Sequence, residues 1–137
     1  MRFRSTIIVS ALLLVAQTAR AQDSQPSQQD QEKSALVAMK SDLRNLVAAQ
    51  EAYYADHSAY ASDVGSLRLR DSQNVSIRLT ATQNNAWAAE ARSALLPNVA
   101  CTIWINLAEQ YRPKVGGKLI PGQREGEPAC ALIEEKK

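Results

Sequence analysis

Hydrophobic positions change period along this chain, and the change divides it into a helix and a set of strands. Between a start near Asp30 to Ser34 and about Asp56, Leu36, Met39, Leu43, Leu46, Val47, Gln50, Tyr53 and Tyr54 share one stripe. The stripe appears when successive residues are turned by about 100°, the helical period. Lys33, Arg44 and Glu51 lie off it, and the alanines at 38, 48, 49 and 52 raise helix propensity. Beyond Asp56 comes the turn-rich "SDVGSL", and then the period falls to two. Val75, Ile77 and Leu79 alternate with Ser76, Arg78 and Thr80. Trp87, Ala89 and Ala91 alternate with Ala88, Glu90 and Arg92, while Val99, Cys101, Ile103 and Ile105 oppose Trp104. The runs "TQNNA" and "ALLPN" suit short connections, and "CALI" reads as a last short strand. The pattern predicts an α+β fold, with one long N-terminal amphipathic helix packed on a small antiparallel sheet of three to four strands.

The chain's beginning has a different pattern. Arg2 and Arg4 precede an apolar run from Ile7 to Ala16, and Ala19 and Ala21 stand in A-x-A spacing. That order predicts a secretory signal peptide over 1–21, cleaved after Ala21. The run is about half the roughly 20 residues a bilayer span needs, and no cysteine follows it as in a lipoprotein. Residues 22–31, rich in Gln and Ser, have no apolar face and are predicted to be a flexible linker. A single globular domain is expected over 32–137, periplasmic or secreted, with no stable membrane anchor after cleavage. The formal net charge of +2 also belongs to the targeting segment: without Arg2, Arg4 and Arg20, the sixteen basic residues become thirteen, against fourteen acidic ones. With no basic block left, a nucleic-acid partner is not expected.

An even cysteine count in an exported chain reads as a disulfide, here Cys101 with Cys130. A zinc site is the weaker reading, because two cysteines and one histidine without C-x-x-C spacing make a poor ligand set. His57 lies between Asp56 and Ser58, but triad members usually meet from distant segments, and no G-x-S-x-G elbow is present. A histidine at a helix C-terminus is the plainer reading. "VGGKL" lacks the first Gly and the Ser/Thr of a phosphate loop and reads as a turn. Asp42, Glu51, Glu125 and Glu127 form no recognisable pair, and Trp87 and Trp104 read as core or sheet-face residues. "NVS" at Asn74 fits a glycosylation sequon, a match common by chance. Tyr53 and Tyr54 continue the stripe and Tyr60 follows it, so all three are expected to pack at the helix end against the sheet. No catalytic residue, cofactor or metal is expected.

From Ala38 to Leu67, "AMKSDLRNLVAAQEAYYADHSAYASDVGSL" resembles the base of the globular head of type IV pilins and type II secretion pseudopilins. Leu46, Gln50, Glu51, Tyr53 and Asp56, followed by Tyr60, Asp63 and Leu67, carry the likeness; "AWAAEARSA" and the Cys101…Cys130 spacing extend it. The prepilin leader and hydrophobic stalk helix of that group have no counterpart here. The resemblance implies a pilin-like head acting as a soluble cell-envelope interaction module, not an enzyme. The alternative is a small exported ligand-binding or inhibitory domain sharing only the fold, which a hydrophobic pocket between helix and sheet would favour. Under the first reading, the Gly/Pro-rich segment from Asn106 to Ala129 is the recognition surface, since cysteine-bounded C-terminal loops often serve so in pilin-like proteins. Tyr111, Arg112, Lys114 and Lys118 are its candidate protein-binding residues, with Ile120 and Arg124 beside them.

Overall fold

The computed structural model describes residues 26–133. The signal peptide and residues 22–25 of the linker expected from the sequence lie outside that range. Helix α1 runs Gln28–His57 and begins earlier than its apolar stripe. Ser27 caps it, its hydroxyl accepting from the Asp30 amide at 3.2 Å. Residues 28–31, assigned to the linker from their polarity, are therefore helical, with Asp30 favourably placed in the first turn. At the other end Ser58 adopts a left-handed conformation (φ 56°) and donates its amide to the Tyr54 carbonyl at 2.8 Å.

Four strands, β1 (Val75–Gln83), β2 (Ala86–Ser93), β3 (Leu96–Ile105) and β6 (Ala129–Leu132), form one antiparallel sheet in the order β1-β2-β3-β6. Asn84 and Asn85 join the first two strands, and Ala94 and Leu95 join the next two. A bulge between Leu79 and Ala81 interrupts β1. Between β3 and β6 lie a short 3-10 turn at Glu109–Tyr111 and a two-stranded ribbon of β4 (Lys114–Val115) and β5 (Lys118–Leu119). The ribbon turns on Gly116 and Gly117, both at positive φ (59° and 82°), as a type I′ turn requires. "VGGKL" is thus a hairpin turn.

The inner sheet face takes the helix. Met39, Leu43 and Leu46 are fully buried against Trp87, Ala89 and Ala91 of β2 and Cys101 and Ile103 of β3. Leu36, Val47 and Tyr53 flank them, as the stripe predicts. Tyr54 does not follow its angular position: it is 37 % exposed, because the helix ends beyond the sheet there, and its ring meets that of Tyr60. The outer face carries a second cluster of Ala86, Ala88, Trp104 and Leu107. Segment 106–128 folds onto it, the Gln123 amide donating to the Thr102 carbonyl at 2.8 Å and the Gly126 amide to that of Trp104 at 3.0 Å. Strand β2 is consequently buried on both faces over most of its length. Glu90, on that outer face, is satisfied by Arg78 at 3.2 Å and Arg92 at 2.8 Å.

Candidate functional site

The connector between α1 and β1 is held by polar residues projecting from the helix. Buried Gln50 uses both ends of its amide on Ala61, donating to its carbonyl at 3.1 Å and accepting from its amide at 2.8 Å. Two turns earlier, buried Asp42 accepts from the amide and hydroxyl of Ser72 at 2.7 and 2.8 Å. Between these clamps, Asp63 caps a 3-10 turn at Val64–Ser66, and the Ser66 bonds hold its carboxyl below the usual range. The clamps leave a groove of about 990 Å³ between the C-terminal half of α1 and residues 66–70. Ala49, Ala52, Leu67 and Leu69 line its apolar part, Arg68 and Arg70 stand on one bank, and Asp56 and His57 on the other.

The aromatic residues at the helix end are packed, as the sequence implies, but in a different arrangement. His57 stacks on Tyr53 at 3.9 Å between centroids, and its Nδ1 lies 2.9 Å from the Tyr53 carbonyl, to which it donates. Tyr60, not Tyr54, reaches the sheet, meeting Trp87 edge-on at 6.2 Å. Its hydroxyl donates to Glu51 at 2.7 Å, and partial burial together with that bond pushes its pKa up to about 12.

Cys101 and Cys130 are directly opposed in the β3–β6 register and are disulfide-bonded, closing the intervening segment. A disulfide fits an oxidising, non-cytoplasmic compartment. Among the described residues no helix is long and apolar enough to cross a membrane.

The residues named in that segment have different surroundings. Tyr111 is 58 % exposed. Arg112 lies over the Trp104 ring at 4.1 Å, and its Nε reaches the Leu107 carbonyl at 3.5 Å, so part of its guanidinium is engaged in packing. The ribbon register pairs Lys114 with Leu119 and Lys118 with Val115, which puts the two lysines on opposite ribbon faces. Arg124 pairs with Glu127 at 3.1 Å, and Ile120 lines a small cavity of about 220 Å³ with Trp104 and Arg112. Among the described residues no three His, Cys, Asp or Glu side chains gather where they could hold a metal ion.

Sequence reasoning missed the groove. Its available signal was the alternation Leu67, Arg68, Leu69, Arg70, too short to separate from the turn before it. No family model, curated protein or solved structure matches the chain.

Proposed function

We propose that the protein is an exported, non-enzymatic, pilin-like interaction module of the cell envelope, related to type IV pilus or type II secretion subunits. It binds a protein partner through the disulfide-closed segment 106–129. The observation that carries this reading is the segment's construction. Its ends are joined to one strand pair, its underside is packed on Trp104 and Thr102, and Tyr111 still projects into solvent. A surface fixed in this way has less conformational freedom to lose on binding. Exposed Tyr beside Arg is the composition found at interface hot spots. The helix laid on an antiparallel sheet, with its last strand bonded to β3, agrees with what the pilin-like resemblance implies. The alternative small-ligand reading would draw on a pocket between helix and sheet, but the side chains there, Met39, Leu43, Leu46, Trp87 and Ile103, are fully buried in one packed cluster.

The test is affinity capture from envelope extract with wild type, Tyr111→Ala and Lys114→Glu proteins, each checked for folding by circular dichroism. Both substitutions are expected to deplete the same specific partner. Equal recovery of that partner by folded variants overturns the assignment.

A further inference from the structure

The segment after the 3-10 turn has the features of a strand edge that lacks a partner. Leu67 leaves the turn in extended backbone (φ −97°, ψ 144°). Burial then alternates: Leu67 inside, Arg68 out, Leu69 half-buried, Arg70 out, the two-residue period of a strand. From Arg68 to Asp71 the main chain makes no hydrogen bond with another described residue; the next contact is Ser72 on Asp42. Neither Arg68 nor Arg70 has an ion-pair or hydrogen-bond partner among the described residues. Open peptide groups, unpaired cations at alternate positions and an apolar trough thus occur in one place.

We propose that this groove binds an extended acidic peptide segment of a partner protein, added as a strand beside residues 68–71. Main-chain bonds would supply affinity, and alternate side chains would supply selectivity. Carboxylates two residues apart match Arg68 and Arg70, whose planar forks take them in charge-assisted bonds. The intervening side chains lie on Ala49, Ala52 and Leu69. Asp56 on the opposite bank repels a carboxylate there, which holds the acidic face of the peptide to the arginine side. His57 has its ring stacked on Tyr53 and its Nδ1 committed to a carbonyl. A fatty acid would leave the open peptide groups unmatched. A second copy is a poor fit through either edge strand of its sheet, because neither β1 nor β6 carries a carboxylate and β1 carries Arg78. The groove and segment 106–129 are lined by different residues, so the two proposals stand or fall separately.

The test is a fluorescence-anisotropy titration of the full chain with a labelled octapeptide alternating Glu and Val. Comparison peptides alternate Lys and Val, or interrupt the Glu/Val sequence with proline so that it cannot pair as a strand. Saturable binding of the Glu/Val peptide is expected, with losses of about tenfold or more for the proline-interrupted peptide and the Arg68→Ala/Arg70→Ala variant. Ala52→Trp, which fills the trough from an exposed helix position, is expected to abolish binding. Lys33→Ala removes a cation elsewhere on α1 and should leave affinity unchanged. The proposal is overturned if the Glu/Val peptide fails to bind up to about 1 mM, or if the proline-interrupted peptide or oleate occupies the site equally well. Wild-type affinity in folded arginine or Ala52→Trp variants also overturns it. A dimer that dissociates on the arginine substitutions would assign the groove to a second copy, against the proposal.

Discussion

Tyr60 links the helix end, the connector and the sheet through contacts of different kinds. Its ring meets Trp87 and Tyr54, its hydroxyl donates to Glu51, and its amide donates to the Asn84 carbonyl at 3.1 Å. Burial and the nearby carboxylate favour its neutral form, raising the pKa from 10.0 to about 12. A pKa higher in the folded state means stability fully present below the unfolded value and lost as pH rises through the folded one. Thermal midpoints of the wild type should therefore fall between pH 10 and about 12, and Tyr60→Phe, already weaker at neutral pH, should fall less over that window. Parallel curves for the two proteins would rule this out. Burial also ranks the neighbouring truncations. Leu43→Ala and Leu46→Ala empty fully buried positions and should cost about 2–5 kcal/mol in urea unfolding. Tyr54→Ala and His57→Ala, at the exposed helix end, should each cost about 1 kcal/mol or less. The stripe placed Leu43 and Leu46 correctly because helical angle alone decides what faces a sheet lying alongside. It misplaced Tyr54 because the angle does not reveal where the sheet stops.

Strand β6 has only four residues, and its attachment to β3 depends on one covalent bond as well as on ladder bonds. In the chain-entropy model, closing a loop with the 29-residue separation of Cys101 and Cys130 contributes about 3–4 kcal/mol. The Cys101→Ser/Cys130→Ser protein should lose that much in denaturant unfolding, and unchanged stability would show that packing alone retains β6. The main elements were legible because each had one dominant period: 3.6 residues in α1, two in β1 and β3. The Asn106–Ala129 segment was not, since its regular pieces are two or three residues long and its order comes from Trp104, Thr102 and the disulfide. The groove was hidden for a related reason. Its walls depend on Asp42 and Gln50, polar residues whose helical positions are readable but whose partners, Ser72 and Ala61, lie at distances only the fold reveals.

At the scale of the molecule, the sheet carries two covers of unequal strength. The inner cover is a helix seated by Met39, Leu43 and Leu46, all fully buried; the outer one is a short segment seated by Leu107, Arg112 and Gln123. Local opening free energy follows the apolar contact and protected backbone that opening must expose, so these covers should open independently and at different cost. Amides of β2, between both covers, should exchange hydrogen only through global unfolding. Amides of the 107–128 segment should exchange through smaller openings that leave α1 and β1–β3 intact. Arg112→Ala should increase exchange in that segment, because it removes the side chain that braces Trp104. Exchange in α1 and β2 should then shift only as far as global stability shifts. Reducing the disulfide should lower the opening free energy of β6 and of the segment together, since both lose the same covalent restraint while keeping their hydrogen bonds. Native-state exchange across a denaturant series reads each of these openings separately. If amides of the 107–128 segment and of β2 converge on one opening free energy, the outer cover is part of the same cooperative unit as the helix, and the independent recognition surface proposed for it loses its structural basis.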